Sequence, residues 1–133
     1  MNQQQNPIRV LLVDDETALL RSLSRVLCEH EMNVETASCA AEAAAFLKNY
    51  QFDVVVCDQN MPGKSGLEFL SDIAKKKPDL ITMMLSGQIT GVSIAEDWAS
   101  EIGVREVFAK PFDGNVIASK IKSAVNQQNA DCS

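Results

Sequence analysis

The chain has 133 residues, 46% of them hydrophobic, which suffices for one domain with a real core and is too short for a second of ordinary size. A net charge of -6 and a pI near 4.7 speak against nucleic-acid binding driven by phosphate contacts, which needs clustered Lys and Arg, so no nucleic-acid partner is expected. The four cysteines have no CxxC spacing and His30 is the single histidine, so a zinc set is not expected; Cys28 and Cys57 read as small buried hydrophobes in a reducing compartment.

In chain order, residues 1–7 form a polar tail. The start, MNQQQNPIR, lacks the basic and apolar regions of a signal peptide. No apolar run approaches the roughly 20 residues of a membrane span. A cytoplasmic protein without a membrane partner is the expectation. The first predicted strand, IRVLLV at 8–13, is almost continuously apolar and ends in Asp14, Asp15 and Glu16. Leu19, Leu20, Leu23, Val26 and Leu27 then follow the spacing of one helix face. A strand NVETA at 33–37 and an Ala-rich helix at 40–49 come next. The third strand, DVVVC at 53–57, delivers Asp58 at its carboxyl end. Ser65 and Glu68 stand in capping-box spacing ahead of Leu67, Leu70 and Ile73, which opens a third helix. A fourth strand, LITMML at 80–85, leads to Ser86. A fourth helix is predicted at 91–101, with Trp98 on a possible exposed stripe, and a fifth strand, VREVFA at 104–109, leads to Lys110. A fifth helix runs from about Asp113 to Val125, and 126–133 read as a polar tail or linker stub without periodicity.

Alternating strands and helices imply an α/β fold, a doubly wound five-stranded parallel sheet covered by helices on both faces. Strands one, three and four are apolar enough to be buried on both sides. The second and fifth carry Glu35, Arg105 and Glu106 and are the expected edges. The strand order 2-1-3-4-5 is the simplest arrangement with those edges, and its switch point lies between strands one and three. Ligands bind such sheets outside the carboxyl ends at the switch point, where Asp14, Asp15 and Asp58 are expected to converge. Carboxylates crowded without an opposing charge raise one another's pKa, so a divalent cation or a phosphoryl group with its metal is the expected occupant.

The ordered set DDE at 14–16, DQNMPG at 58–63, Ser86 and KPF at 110–112 resembles the receiver domain of two-component response regulators over residues 8–125, the flavodoxin-like (βα)5 receiver fold. That resemblance implies that Asp58 accepts a phosphoryl group from a sensor histidine kinase, a phosphotransfer protein or a small phosphodonor. It implies Mg2+ held by Asp14, Asp15, Asp58 and the backbone carbonyl of Asn60. Lys110 is implied to pair with the acceptor and then with the phosphoryl oxygens, Ser86 to hydrogen-bond the phosphoryl group, and Lys110–Pro111 to be cis. The face of the fourth helix, fifth strand and fifth helix is implied to mediate homodimer or downstream contacts.

Two features depart from the family or compete with it. Members usually carry Tyr or Phe three residues before the lysine, where this chain has Val107, with Phe108 turned to the other face unless a bulge shifts the register. Gln59 and Gln88 stand where residues flank the water that attacks the phosphoryl group. The alternatives are a phosphorelay intermediate and a phosphorylation-independent binding module. An aspartyl-phosphate phosphatase of the haloacid-dehalogenase kind needs an acid two residues after its nucleophile, where Asn60 stands, so no turnover enzyme is expected.

Overall fold

β1 (Arg9–Val13) is an interior strand of the sheet, paired on both sides, as its apolar residues toward both faces require. In the computed structural model, which describes residues 7–61, 63–87, 103–110 and 112–132 (side chains to 128), it pairs in parallel with β2 (Asn33–Ala37) and with β3 (Val54–Asp58). β4 (Ile81–Ser86) and β5 (Glu106–Ala109) extend the sheet, giving the order β2-β1-β3-β4-β5. The predicted order and edges are therefore those observed. β2 has the expected bounds, and the other four strands differ from expectation by one or two residues, so that Asp58 and Ser86 are the last residues of β3 and β4.

Among the described residues the helices are α1 (Thr17–Glu29), α2 (Ala40–Asn49), α3 (Gly66–Lys76) and α4 (Gly114–Cys132). The two-residue period of the strands sorts their side chains between two cores. Val10, Leu12, Val54, Val56, Met83 and Leu85 pack with Leu20, Leu23 and Leu27 of α1 and Ile117 and Ile121 of α4. Leu11, Val13, Val55, Cys57 and Met84 face the other way, onto Ala43 and Leu47 of α2 and Phe69, Leu70 and Ile73 of α3. The predicted helix at 91–101, Trp98 and Pro111 with its peptide bond lie outside the described residues.

Helix ends obey local chemistry. Ser65 accepts from the Glu68 N–H at 3.2 Å while Glu68 accepts from the Ser65 N–H at 3.1 Å, the reciprocal capping box expected from the sequence. α1 ends differently. The N–H of Glu31 donates to Cys28 and that of Met32 to Leu27, with Glu31 at φ 65°, a left-handed turn usually made by Gly. α4 continues past Val125, where the polar sequence predicts a tail. Arg105 donates to Gln127 at 2.8 Å and Gln128 reaches the Asp79 carbonyl, so polar side chains tie this last stretch down.

These ends carry opposite mutational signs. Glu31→Gly is expected to raise the unfolding free energy by about 1 kcal/mol, because Gly adopts the left-handed conformation at no steric cost. Ser65→Ala is expected to lower it by about 1 kcal/mol, both read from urea denaturation midpoints.

Candidate functional site

Parallel strands end together, and here each end leads into polar residues. Asp14 comes directly after β1, Asp58 and Ser86 close β3 and β4, and Lys110 comes directly after β5. Register fixes their spacing: Val13 lies beside Cys57, Asp58 beside Leu85, and Ser86 beside Ala109. The Lys110 N–H donates to the Ser86 carbonyl at 2.7 Å and the Gln59 N–H to that of Leu85 at 2.8 Å, which carries the ladder one step beyond the strands.

One carboxylate oxygen from each of Asp14, Asp15 and Asp58 lies within 4.8 Å of the others. Asp14 and Asp58 are buried and Asp15 is exposed. Lys110 Nζ stands 3.0 Å from Asp58 Oδ1 and 3.3 Å from both Asp14 Oδ2 and Glu16 Oε1. Burial pushes the Asp58 carboxyl above its usual range; Lys110 pulls it back only in part, and Asp15 adds repulsion. Asp14 is also pushed up, by burial first and then by Asp58, against a hydrogen bond from the Glu16 N–H at 3.0 Å. Burial alone would lower Lys110, yet pairing with Asp58 and Asp14 outweighs it and raises the ammonium pKa. The site thus holds more negative charge than its one ammonium satisfies.

The donor set suits a hard divalent cation, which takes carboxylate, carbonyl and water oxygens. Asn60 is exposed in the loop two residues beyond Asp58, on the same side of the sheet edge. Three further residues shape the site in roles that spacing alone does not signal. Glu16, the last member of the acidic run, reaches Lys110. Gln59, expected to face water, turns to the backbone instead: its Oε1 accepts from the Leu67 N–H at 3.2 Å and its carbonyl accepts from the Gly66 N–H at 2.9 Å, capping α3. Gly66 is forced by close approach, since a Cβ there would lie 2.2 Å from the Asp58 carbonyl oxygen.

Val107 is half-buried against the α2–α3 core, while Phe108 is buried in the α1–α4 core. Pairing from Met83–Glu106 to Ser86–Ala109 is unbroken, so no bulge brings Phe108 into the aromatic position. Cys57 is fully buried, and burial pushes its thiol far above the usual range, with Asp58 and Asp14 adding to the shift. Cys28 corrects the sequence reading: it is an exposed free thiol at the outer side of α1. Gln88 lies outside the described residues.

A sequence model described as the response regulator receiver domain matches residues 10–122. The hydrogenase transcriptional regulatory protein HoxA of Cupriavidus necator is 35% identical over 90% of this chain and 24% of its own length. A protein-glutamate methylesterase/protein-glutamine glutaminase of Burkholderia thailandensis is 39% identical over 78% of this chain and 30% of its own. The chain thus spans less than a third of the length of these curated relatives. The CheY-like receiver domain protein of Methanospirillum hungatei superposes with a TM-score of 0.87 at 27% identity, covering 95% of this chain and 99% of that one.

Two outcomes test this geometry. Gly66→Ala is expected to cost about 1–3 kcal/mol or more in chemical denaturation, because the atoms a Cβ would meet, Asp58 O and C and Gln59 Cα, are all backbone. With a maleimide reagent at neutral pH, Cys28 is expected to react in the native chain while Cys57 stays unmodified until denaturant is added, as peptide mapping by mass spectrometry would show.

Proposed function

The chain belongs to the response regulator receiver family, a family of signalling domains, and we propose on that premise that Asp58 is its phosphoacceptor. The observation that supports this most directly is the 3.0 Å pairing of Lys110 with a buried aspartate at the switch point of the sheet, beside two further carboxylates.

In this reading an oxygen of the Asp58 carboxylate attacks the phosphorus of a phosphohistidine on a sensor kinase or phosphotransfer protein. The new O–P bond forms as the N–P bond breaks, and the imidazole leaves with the electron pair and takes up a proton. Acetyl phosphate can donate in the same way, with acetate leaving. Approach of the dianionic phosphoryl group to three carboxylates is opposed electrostatically, and Lys110 offsets part of that charge because its ammonium can shift from Asp58 to the incoming oxygens. The Ser86 hydroxyl, at the end of the adjacent strand, is suited to donate to a phosphoryl oxygen. Asp14, Asp15, Asp58 and the Asn60 carbonyl would hold Mg2+. Bound there, it would supply the remaining positive charge for the transferring oxygens.

Hydrolysis by water returns Asp58 to the free carboxylate. The signal is then a change in protein contacts governed by the state of Asp58. Because the curated relatives are longer, an effector is either a further part of a longer chain or a separate protein. Among the described residues no helix is long and apolar enough to cross a membrane. The switch in this chain runs without an aromatic at Val107, so Ser86 and Lys110 carry the change to β4 and β5.

Incubation with acetyl phosphate and Mg2+, then intact-mass measurement, is expected to show the gain of one phosphoryl group, lost in Asp58→Asn and on chelation with EDTA. A gain that persists in Asp58→Asn would overturn the assignment of the acceptor. Lys110→Ala is expected to slow the gain by about tenfold or more while leaving the fold intact, as removal of one charge stabilising a transferring group does.

A further inference from the structure

The two faces of the sheet are covered unequally. α1 and α4 pack directly on one another. Between α2 and α3, by contrast, a groove of about 500 Å3 opens over Leu47, Phe69 and Ile73. It continues past Ala44, Lys64 and Phe69 into a second hollow of about 450 Å3 that reaches Cys39 and Gly63. The depression therefore runs beside α2 along its ten residues, about 15 Å.

Its banks reverse the sign of the chain. Lys48 of α2, Lys76 and Lys77 at the end of α3, and Lys64 from the loop before α3 line it, with Asp72 the single carboxylate among the lining residues. The whole chain carries -6. The helix dipole accounts for cations in the last turns of α2 and α3, namely Lys48 and Lys76. It does not account for Lys64, which stands before α3 and is held over the groove by its ion pair with Asp72.

We propose that this groove docks an acidic helical segment of a partner protein, its carboxylates set against Lys48, Lys64, Lys76 and Lys77. An elongated trough between two helices suits a helix rather than a compact ligand. The banks carry Lys and no Arg, so the planar two-pronged recognition of phosphate is missing and adaptable point charges remain. Ala40, Ala41 and Ala44 on the α2 wall leave room for a second backbone to come close. The apolar floor is recessed, with Leu47 5%, Phe69 4% and Ile73 6% exposed, so a flat lipid surface would meet the lysines and miss the floor. The same recession makes charge, rather than apolar burial, the main source of affinity, and salt should weaken binding. The inference is independent of the phosphoacceptor reading and its test uses no phosphodonor.

The probe is a synthetic helical peptide of about 15 residues with Glu on one face and Ala on the other, titrated into the isotope-labelled full chain and monitored by amide NMR. Expected are shifts confined to 40–48 and 63–77, and binding weakened about tenfold or more by raised salt and by the Lys48→Glu, Lys76→Glu double variant. Ala44→Trp, which fills the trough at an exposed helix position without changing charge, is expected to weaken binding as strongly. The amide spectrum shows whether each variant is folded, and if the charge variant is not, Ala44→Trp decides. Shifts centred on the sheet's carboxyl edge, equal binding of a Lys-for-Glu peptide, native affinity in the folded variants, or a response to anionic phospholipid vesicles but not to the peptide would overturn the proposal.

Discussion

The site depends on one ammonium standing against a crowd of carboxylates. Lys110 Nζ reaches Asp58, Asp14 and Glu16 from the end of β5, across the edge of the sheet. Without it, two buried carboxylates would face each other with no charge between them, and burial would press protons onto both. With it, the upward push of burial on Asp58 is offset in part, while the cluster keeps more carboxylates than ammonium groups. The parallel sheet makes this arrangement possible, because every strand delivers its next residue to the same edge.

Backbone geometry around Asp58 is constrained as tightly as its charge. The loop after β3 turns back so closely that α3 begins against the Asp58 carbonyl, which only Gly66 permits. Gln59 then uses both its carbonyl and its side chain on the N–H groups of Gly66 and Leu67. The first turn of α3 is thereby satisfied by the residue next to Asp58, with the Ser65–Glu68 box satisfying the rest. The position of Asp58 and the start of α3 are in this way one structural unit, and the groove bank contributed by α3 follows the same loop.

The fold is readable in the sequence wherever a residue's role depends on spacing. Period-two alternation of Val10, Leu12, Val54 and Val56 against Leu11, Val13, Val55 and Cys57 separates the two cores, and Glu35 and Glu106 mark the edges. Asp14, Asp15, Asp58, Ser86 and Lys110 are readable because each lies at or just past the end of an apolar run. Direction and partners distant in sequence are not readable in this way. Cys28 sits in an apolar run, yet its place on the helix turns it outward. Gln59 could face water or backbone equally well by type, and the proximity of α3 decides. α4 extends beyond Val125 because Arg105 and Asp79, far away in sequence, supply partners for Gln127 and Gln128. Glu31 breaks the preference for Gly in a left-handed turn, so no local signal marks the end of α1.

Separation of chemistry from recognition arises from the same architecture. The carboxyl edge of the sheet collects Asp14, Asp15, Asp58, Ser86 and Lys110, where the one ammonium balances part of the carboxylate charge. Away from that edge this chain places its own features: a basic trough between α2 and α3 on a chain of net charge -6, and Val107 of β5 at the position three before Lys110. Val107, half-buried against the α2–α3 core, fills less volume there than an aromatic ring would. The β3–α3 loop joins the two regions, because Gln59 next to Asp58 holds the first turn of α3 by its hydrogen bonds, and Lys64 on the bank of the trough lies in the same loop.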